Sequence, residues 1–273
     1  MSALELSGEL TTDILVRFLR AEAGKFGFKR ALLGLSGGVD SAVSAALAAR
    51  AYGAENVLGV MMPYKTSNPS SEADARVVAD FLGIATHKID ISDMADGYLN
   101  GQVVEDRMRR GNVMARCRMI ALYDQSVEWG GLVLGTSNKT EILLGYSTQW
   151  GDSASALNPL GDLYKHQIFQ LARHLGLPDV VIDKAPSADL FEGQTDEDEL
   201  GFSYEEVDRL LVKMIDERWT EVELVAGGFE LSFVKLVANR IAANQYKRLP
   251  PIIAKLGPRS VTHDFRYLRS WGH

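Results

Sequence analysis

Apolar residues follow two alternating rhythms along the chain. Continuous apolar runs at residues 31–35, 57–62 and 132–134 have the length and bounds of buried strands, and residues 87–91 form a weaker one. Between them, apolar residues recur every three or four positions, as on helices with one buried face. The first such stretch, residues 11–26, sets Ile14, Leu15, Phe18 and Leu19 on one side, with Gly24 and Gly27 loosening its end. The next, beginning near Val39, aligns Val39, Val43, Leu47 and Ala51. A third opens at Asn68-Pro69-Ser70-Ser71, buries Val77, Val78, Phe81 and Leu82, and stops at Gly83. Residues 112–129 and 163–175 are also helical, the latter packing Ile168, Leu171, Ala172 and Leu175 before Gly176 and Pro178. Ser203 caps a helix over residues 204–215, and further helices run to Tyr246. From Asp93 to Gly111 the pattern is poor, which predicts a mobile loop or an inter-subunit segment. Strands alternating with amphipathic helices predict right-handed parallel βαβ units. The expected fold is α/β, a doubly wound parallel sheet with flanking helices and a helical, loop-rich C-terminal part. Residues 1–273 hold no repeat and no linker long enough to divide them, so one domain is expected.

The first strand runs into Ser36-Gly37-Gly38-Val39-Asp40-Ser41 and then into a helix. A strand, a glycine turn and a helix start present backbone N–H groups and the positive helix end to an anion. Gly37 and Gly38 permit positive φ and close backbone approach, as a phosphate cradle requires. The dinucleotide fingerprint G-x-G-x-x-G is absent, because the glycine spacing differs. A Walker A loop ends in Gly-Lys-Ser or Gly-Lys-Thr, whereas Asp40 stands in the lysine's place before Ser41. A carboxylate there is compatible with phosphate only if a divalent metal neutralises the charge. Gly34-Leu35-Ser36-Gly37-Gly38 also satisfies the G-x-S-x-G nucleophile elbow of serine hydrolases. Too few residues precede Ser36, however, for the strands and oxyanion loop that come first in a hydrolase sheet.

Composition narrows the class. Apolar content of 46 % and charged content of 24 % are ordinary for a globular protein, and no run is long enough to span a membrane. The N-terminus lacks the basic start and apolar core of a secretory signal, and a single cysteine, Cys117, excludes an internal disulfide. Together these predict a cytoplasmic protein. A net charge of −7 disfavours a broad nucleic-acid-binding surface. The five histidines are scattered; His166 and His174 flank the apolar face of one helix and read as solvated or core-edge residues.

The Ser36–Ser41 loop resembles the SGGxDS loop of N-type ATP pyrophosphatases, which take the pyrophosphate from ATP and leave AMP on a substrate. Further ordered motifs resemble one member, the ammonia-dependent NAD synthetases, from about Gly34 to about Pro251. Gly111-Asn112-Val113-Met114-Ala115-Arg116-Cys117-Arg118-Met119 is similar to that family's GNxxARxRM helix. Gly135-Thr136-Ser137-Asn138 follows a strand as its second nucleotide turn does, with Glu141 in the helix beyond. Pro186-Ser187-Ala188-Asp189-Leu190 and Asp198-Glu199-Leu200-Gly201-Phe202-Ser203-Tyr204 resemble its mobile loop and the helix behind it. An acidic run such as residues 196–199 ordinarily marks a solvated surface; the resemblance makes residues 189–201 an active-site lid.

The resemblance implies an adenine nucleotide alpha-hydrolase-like fold and a set of roles. Gly34, Leu35, Ser36, Gly37, Gly38, Val39, Asp40, Ser41 and Thr136 would hold ATP, and Asp40 and Glu141 would bind Mg²⁺. Lys165 and Ser187 would touch the triphosphate and, with Asp40, serve catalysis. Arg116 would meet deamido-NAD. The implied reaction adenylates the deamido-NAD carboxylate, releases pyrophosphate, and lets ammonia displace AMP. A homodimer is implied. With no room for a glutaminase domain, the ammonia would be free or supplied by a separate glutaminase. The substrate end departs from the family pattern F-T-K-Y-G-D-G-G-x-D: the lysine and last aspartate are Gln149 and Ala156, and the late His-Lys pair is Tyr246-Lys247.

Overall fold

The apolar runs pair as one parallel sheet of four strands, β1 (Ala31–Gly34), β2 (Val57–Met61), β3 (Ala85–Lys88) and β4 (Leu132–Val133), in the order β3-β2-β1-β4. Every pairing is parallel, with Ala31 opposite both Val57 and Leu132. These come from a computed structural model that describes residues 4–100, 106–187 and 195–261. The chain steps outward from β1 to β2 and β3, then returns to lay β4 on the other side of β1. That reversal of strand order opens a crevice at the carboxyl ends of β1 and β4, where open α/β sheets bind ligands.

Helices α1 (Gly8–Gly24), α2 (Val39–Tyr52), α3 (Pro69–Leu82), α4 (Ser92–Leu99) and α5 (Arg107–Trp129) precede β4. After it come α6 (Lys139–Leu144), α7 (Lys165–His174), α8 (Asp179–Ile182), α9 (Asp196–Leu200), α10 (Tyr204–Leu211), α11 (Glu221–Ala226) and α12 (Leu231–Ala243). One face of the sheet carries α1, α2, α3, α7 and α8 over the main core of Leu19, Leu33, Val43, Leu47, Val57, Val78, Ile168 and Leu171. On the other face, Leu122 and Trp129 of α5 pack on Leu32, Leu58, Val60 and Val133. Both faces are covered, as the doubly wound expectation requires. A separate apolar cluster of α10, α11 and α12 residues, centred on Val207, Leu210, Leu224 and Val237, includes Leu144 of α6 and Tyr164 at the head of α7. The C-terminal helices thereby brace the two helices that follow the sheet.

The helix limits and faces differ from expectation in four places. In α1 the buried stripe is Thr12, Val16, Leu19 and Ala23, and Ile14 is 55 % exposed. In α3 the packed face is Ser71, Asp74, Ala75, Val78 and Ala79, while Val77 and Phe81 point outward. Small residues at this spacing let α3 approach the glycine loop closely, and that need outweighs hydrophobicity in choosing the face. Within the stretch of poor pattern, residues 92–99 form α4 and an Asp106 side chain caps α5 five residues earlier than expected. Residues 101–105 lie outside the described part. The expected lid falls partly on residues 188–194, also outside it; its remainder, from Thr195, is α9 and its caps, and Asp196 there is buried.

Candidate active site

The turn from β1 into α2 is built as a cradle. Gly37 has φ +76, and an added Cβ there would lie 2.3 Å from the Ser71 carbonyl oxygen of α3. Ser41 Oγ donates to the Gly38 carbonyl at 2.9 Å and lies 3.2 Å from Ser36 Oγ, which accepts from the Gly38 N–H. The hydroxyls thus stiffen the loop. None of the described histidines, His87, His166 and His174, lines the cavity that Ser36 faces, so the Ser–His pair of a hydrolase is not formed among the described residues.

Asp40 enters from the first turn of α2 and meets two groups from distant elements. Its Oδ2 takes a hydrogen bond of 2.5 Å from the Lys165 ammonium, at the start of α7, and its Oδ1 accepts from Asn138 Nδ2 at 2.9 Å. Asn138 caps α6 by accepting the Glu141 N–H at 3.0 Å, and Glu141 Oε2 accepts the Asn138 N–H in return. The other oxygen of Glu141, Oε1, lies 3.3 Å from the Lys165 ammonium. One buried cation therefore sits between two carboxyl groups, and Glu141 caps α6 and contacts Lys165 at once.

The electrostatics follow from burial. Lys165 is 2 % exposed, so desolvation opposes its charge, yet Asp40 and Glu141 outweigh it and hold the ammonium above its ordinary pKa. Burial, reinforced by Asp40 and by Asp196, pushes Glu141 up to about 8 against the pull of Lys165. Asp196 is also raised, chiefly by burial; it accepts from Tyr204 Oη at 3.0 Å and Tyr146 Oη at 3.1 Å. The Lys165 ammonium lies 5.0 Å over the Tyr204 ring.

A second layer fixes the helix starts. Asp208 of α10, fully buried, accepts 2.5 Å and 2.8 Å hydrogen bonds from Thr140 Oγ1 and the His166 N–H. Thr140 Oγ1 in turn accepts the Lys165 N–H at 3.0 Å. Burial pushes Asp208 up to about 6. One carboxylate thus ties α6, which carries Glu141, to α7, which carries Lys165.

Asp40, Glu141, Lys165 and Asp196 face a cavity of about 1580 Å³ at the carboxyl end of the sheet. Gly34, Leu35, Ser36, Gly38, Val39, Asp40, Ser41, Thr136, Glu141, Lys165 and Ser187 all line it, as do Arg116, Gln149, Tyr246 and Lys247. Gly37 lies behind the loop, and Ala156 and Trp150 lie outside the lining. At the substrate end, Arg116 donates to the Gln149 carbonyl at 3.2 Å and Gln149 Nε2 to the Tyr246 carbonyl at 3.4 Å. Lys247 donates to the carbonyls of Gly145 and Ser147 at 2.7 Å and 2.8 Å, and burial lowers its pKa. It knots the altered segment to the C-terminal helices.

The carboxylate pair fits a hard divalent cation. Among the described residues no group of three or more His, Cys, Asp or Glu could hold a metal unaided. Mg²⁺ characteristically uses one or two carboxylates and completes its shell with substrate phosphates and water. Asp40 and Glu141 already share one cation beside a phosphate-type loop, so the donor set suits such an ion.

A family model described as NAD synthase matches residues 11–251. The chain belongs to the NAD synthase family. It is 53 % identical over 272 residues to a protein of Trichlorobacter lovleyi named NH(3)-dependent NAD(+) synthetase, with 100 % of each chain covered. A Chlorobaculum tepidum protein of the same name is 55 % identical over 262 residues, covering 96 % of this chain and 95 % of that one. Among solved structures, the NH3-dependent NAD synthetase from Campylobacter jejuni, in complex with the nitrate ion, superposes with a TM-score of 0.79 at 33 % identity. It covers 92 % of this chain and 100 % of that one. The NMN synthetase from Francisella tularensis gives a TM-score of 0.81 at 30 % identity, covering 92 % and 99 %. The fold is that of the NAD synthetases.

Several groups of this site escaped sequence reasoning. Asn138 was named only as part of the glycine turn; its capping-box spacing to Glu141 is the signal that marks it. Asp208 sits in an ordinary amphipathic helix and nothing local marks it, and Tyr204 entered only as the end of a motif, with no role at the Lys165 cluster. Asp196 heads a run of four acids, in which one buried member looks like its solvated neighbours.

Proposed function

We propose that this chain amidates deamido-NAD with ammonia, consuming ATP through an acyl-adenylate and releasing AMP and pyrophosphate. The observation that carries the reading is the Asp40–Lys165–Glu141 cluster beside a lysine-free phosphate loop, in a chain with two family relatives above half identity over nearly its whole length. The loop's backbone N–H groups and the α2 N-terminus bind the phosphates of ATP. Asp40 and Glu141 hold Mg²⁺, which when bound offsets phosphate charge. Lys165 keeps the two carboxylates from repelling one another and lends positive charge toward the leaving pyrophosphate. Arg116 orients the substrate, whose carboxylate oxygen attacks the α-phosphorus as the bond to the β-phosphate oxygen breaks. Ammonia then attacks the acyl carbon, AMP leaves, and a proton is lost from nitrogen. No enzyme nucleophile is required. We further propose that residues 1–273 act as one domain in a cytoplasmic homodimer supplied with free ammonia or by a separate glutaminase.

A second reading, in which the acid amidated is the mononucleotide, is favoured by the loss of a charged side chain at Gln149, which lines the cavity, and by the likeness to an NMN synthetase. Each lost charged hydrogen bond weakens binding by about 1.5–3 kcal/mol. The test is one assay with ATP, Mg²⁺ and ammonium, offering each acid in turn. NAD and AMP from deamido-NAD at a higher kcat/KM support the first reading; NMN formed at the higher kcat/KM supports the second. Fluorophosphonate labelling of Ser36 without AMP release would overturn both.

A further inference from the structure

Lys184 and its partners form a pair that the mechanism above does not use. The Lys184 ammonium lies 2.6 Å from Asp74 Oδ2 and 3.2 Å from Ser71 Oγ. Ser71 and Asp74 belong to the small-residue face of α3, and they are the groups pressed against Gly37: its added Cβ would meet the Ser71 carbonyl oxygen at 2.3 Å and Asp74 Cβ at 3.0 Å. Lys184 therefore sits against the outer wall of the phosphate loop. It lines the same cavity as Ser36, Gly38 and Ser187, and its side chain keeps 26 % of its surface open.

Charge balance gives this position a meaning. The phosphate loop contributes a carboxylate where a Walker loop contributes lysine, and the charge of Lys165, whatever it lends the pyrophosphate, is largely offset by Asp40 and Glu141. Among the other cavity cations, Lys65 pairs with Asp96 and Lys88 with Glu72, while Arg116, Arg118, Arg240 and Lys247 donate to backbone carbonyls. Lys184 alone among these is bound to residues that wall the loop. A pyrophosphate group carries more charge than one carboxylate, and a four-carbon stem lets the ammonium exchange partners by rotation. We infer that Lys184 binds the terminal phosphates of ATP, leaving Asp74 as they arrive, and holds the departing pyrophosphate. The inference rests on the ATP-consuming reading above.

The test compares Lys184→Met, Lys184→Arg and Asp74→Asn in the full-length chain. Calorimetric titration with magnesium pyrophosphate is run beside steady-state kinetics in ATP and in deamido-NAD. Lys184→Met is expected to raise the pyrophosphate Kd and the ATP KM tenfold or more while the deamido-NAD KM stays within twofold, and Lys184→Arg recovers part of the loss. Asp74→Asn, which removes the competing carboxylate, is expected to lower both the Kd and the ATP KM. An ATP KM and pyrophosphate Kd within twofold of the parent for Lys184→Met would overturn the inference. So would equal weakening by Asp74→Asn, which marks the pair as structural. Lys184-dependent pyrophosphate binding by a chain that makes no NAD would support the phosphate role and overturn the deamido-NAD reading instead.

Discussion

Asp208 shows how much of this site depends on a residue that touches no ligand. It lies fully buried and receives the Thr140 hydroxyl and the His166 N–H, so it sets the relative position of two helix starts. An asparagine fills the same space but presents an amide donor where one of those donors now points. Breaking a hydrogen bond to a charged buried group costs about 1.5–3 kcal/mol. Asp208→Asn is therefore expected to lower the denaturation midpoint and to reduce kcat by roughly ten- to a hundredfold, with the deamido-NAD KM little changed because Arg116 lies on another element. Measuring kcat per folded molecule at a temperature below the variant's unfolding decides it; an unchanged value would mean the network holds the fold but not the site. Asp40→Ala is expected to abolish turnover for a different reason: it leaves the Lys165 ammonium and Asn138 without their shared acceptor and removes one of the two carboxylates proposed to hold Mg²⁺. Its circular dichroism should stay native, and activity near the parent value would refute the metal role.

The turn between β1 and α2 and its contact with α3 form the next level, and here the two glycines part company. Gly37 combines φ +76 with a neighbouring backbone oxygen 2.3 Å from its absent Cβ; Gly38 has φ −97 and only the Ser36 hydroxyl, at 3.4 Å. Alanine at 37 has to move α3 as well as strain the turn, at roughly 1–2 kcal/mol for the left-handed conformation alone. Gly37→Ala is thus expected to cost several degrees of Tm and most of the ATP affinity, whereas Gly38→Ala keeps the Tm near the parent's. Equal Tm losses in the two variants would contradict the geometry. The same contact explains what could and could not be read in advance. The strands β1, β2 and β4, the glycine loop and α2 were legible because their signals lie within a few consecutive residues, whereas the strand expected at 87–91 forms instead at Ala85–Lys88. The buried face of α3 was misassigned because Val77 and Phe81 are the more apolar residues, while Ser71, Asp74 and Ala75 are the ones small enough to reach Gly37. α4 was missed because its eight residues contain Gly97 and bury only Ala95 and Leu99. The ion pair of Lys184 and Asp74 spans 110 positions, and Asp40 and Lys165 span 125, distances over which local pattern carries no information.

Acids drawn into the interior make the stability of the whole molecule depend on pH in an unusual direction. Surface carboxylates such as Glu72, Asp90 and Asp96 are lowered by their hydrogen-bond partners, so their contribution is already complete well below neutrality. Glu141 behaves oppositely: burial, with Asp40 and Asp196 adding to it, raises it from 4.5 to about 8. Between those values the folded chain holds a proton that the unfolded chain has lost. The unfolded state binds fewer protons, and the free energy of unfolding must fall as pH rises through that window. Asp208, raised to about 6, acts in the same sense over the lower part of it. From pH 6 to pH 8, without divalent metal, the Tm is therefore expected to fall. Mg²⁺ with ATP should reverse the loss at pH 8, where Glu141 is ionised and a metal stabilises the charge. Binding at pH 7 should accordingly release protons, detectable by calorimetry in two buffers of different ionisation enthalpy. The variant Glu141→Gln carries no titrating group, so its Tm is expected to vary less between pH 6 and 8 and to exceed the parent's at the upper end, with turnover lost. A parent Tm that rises over this interval, or a variant with the parent's slope, would show that Glu141 is already ionised in the folded chain and that Lys165 outweighs the cost of burying it.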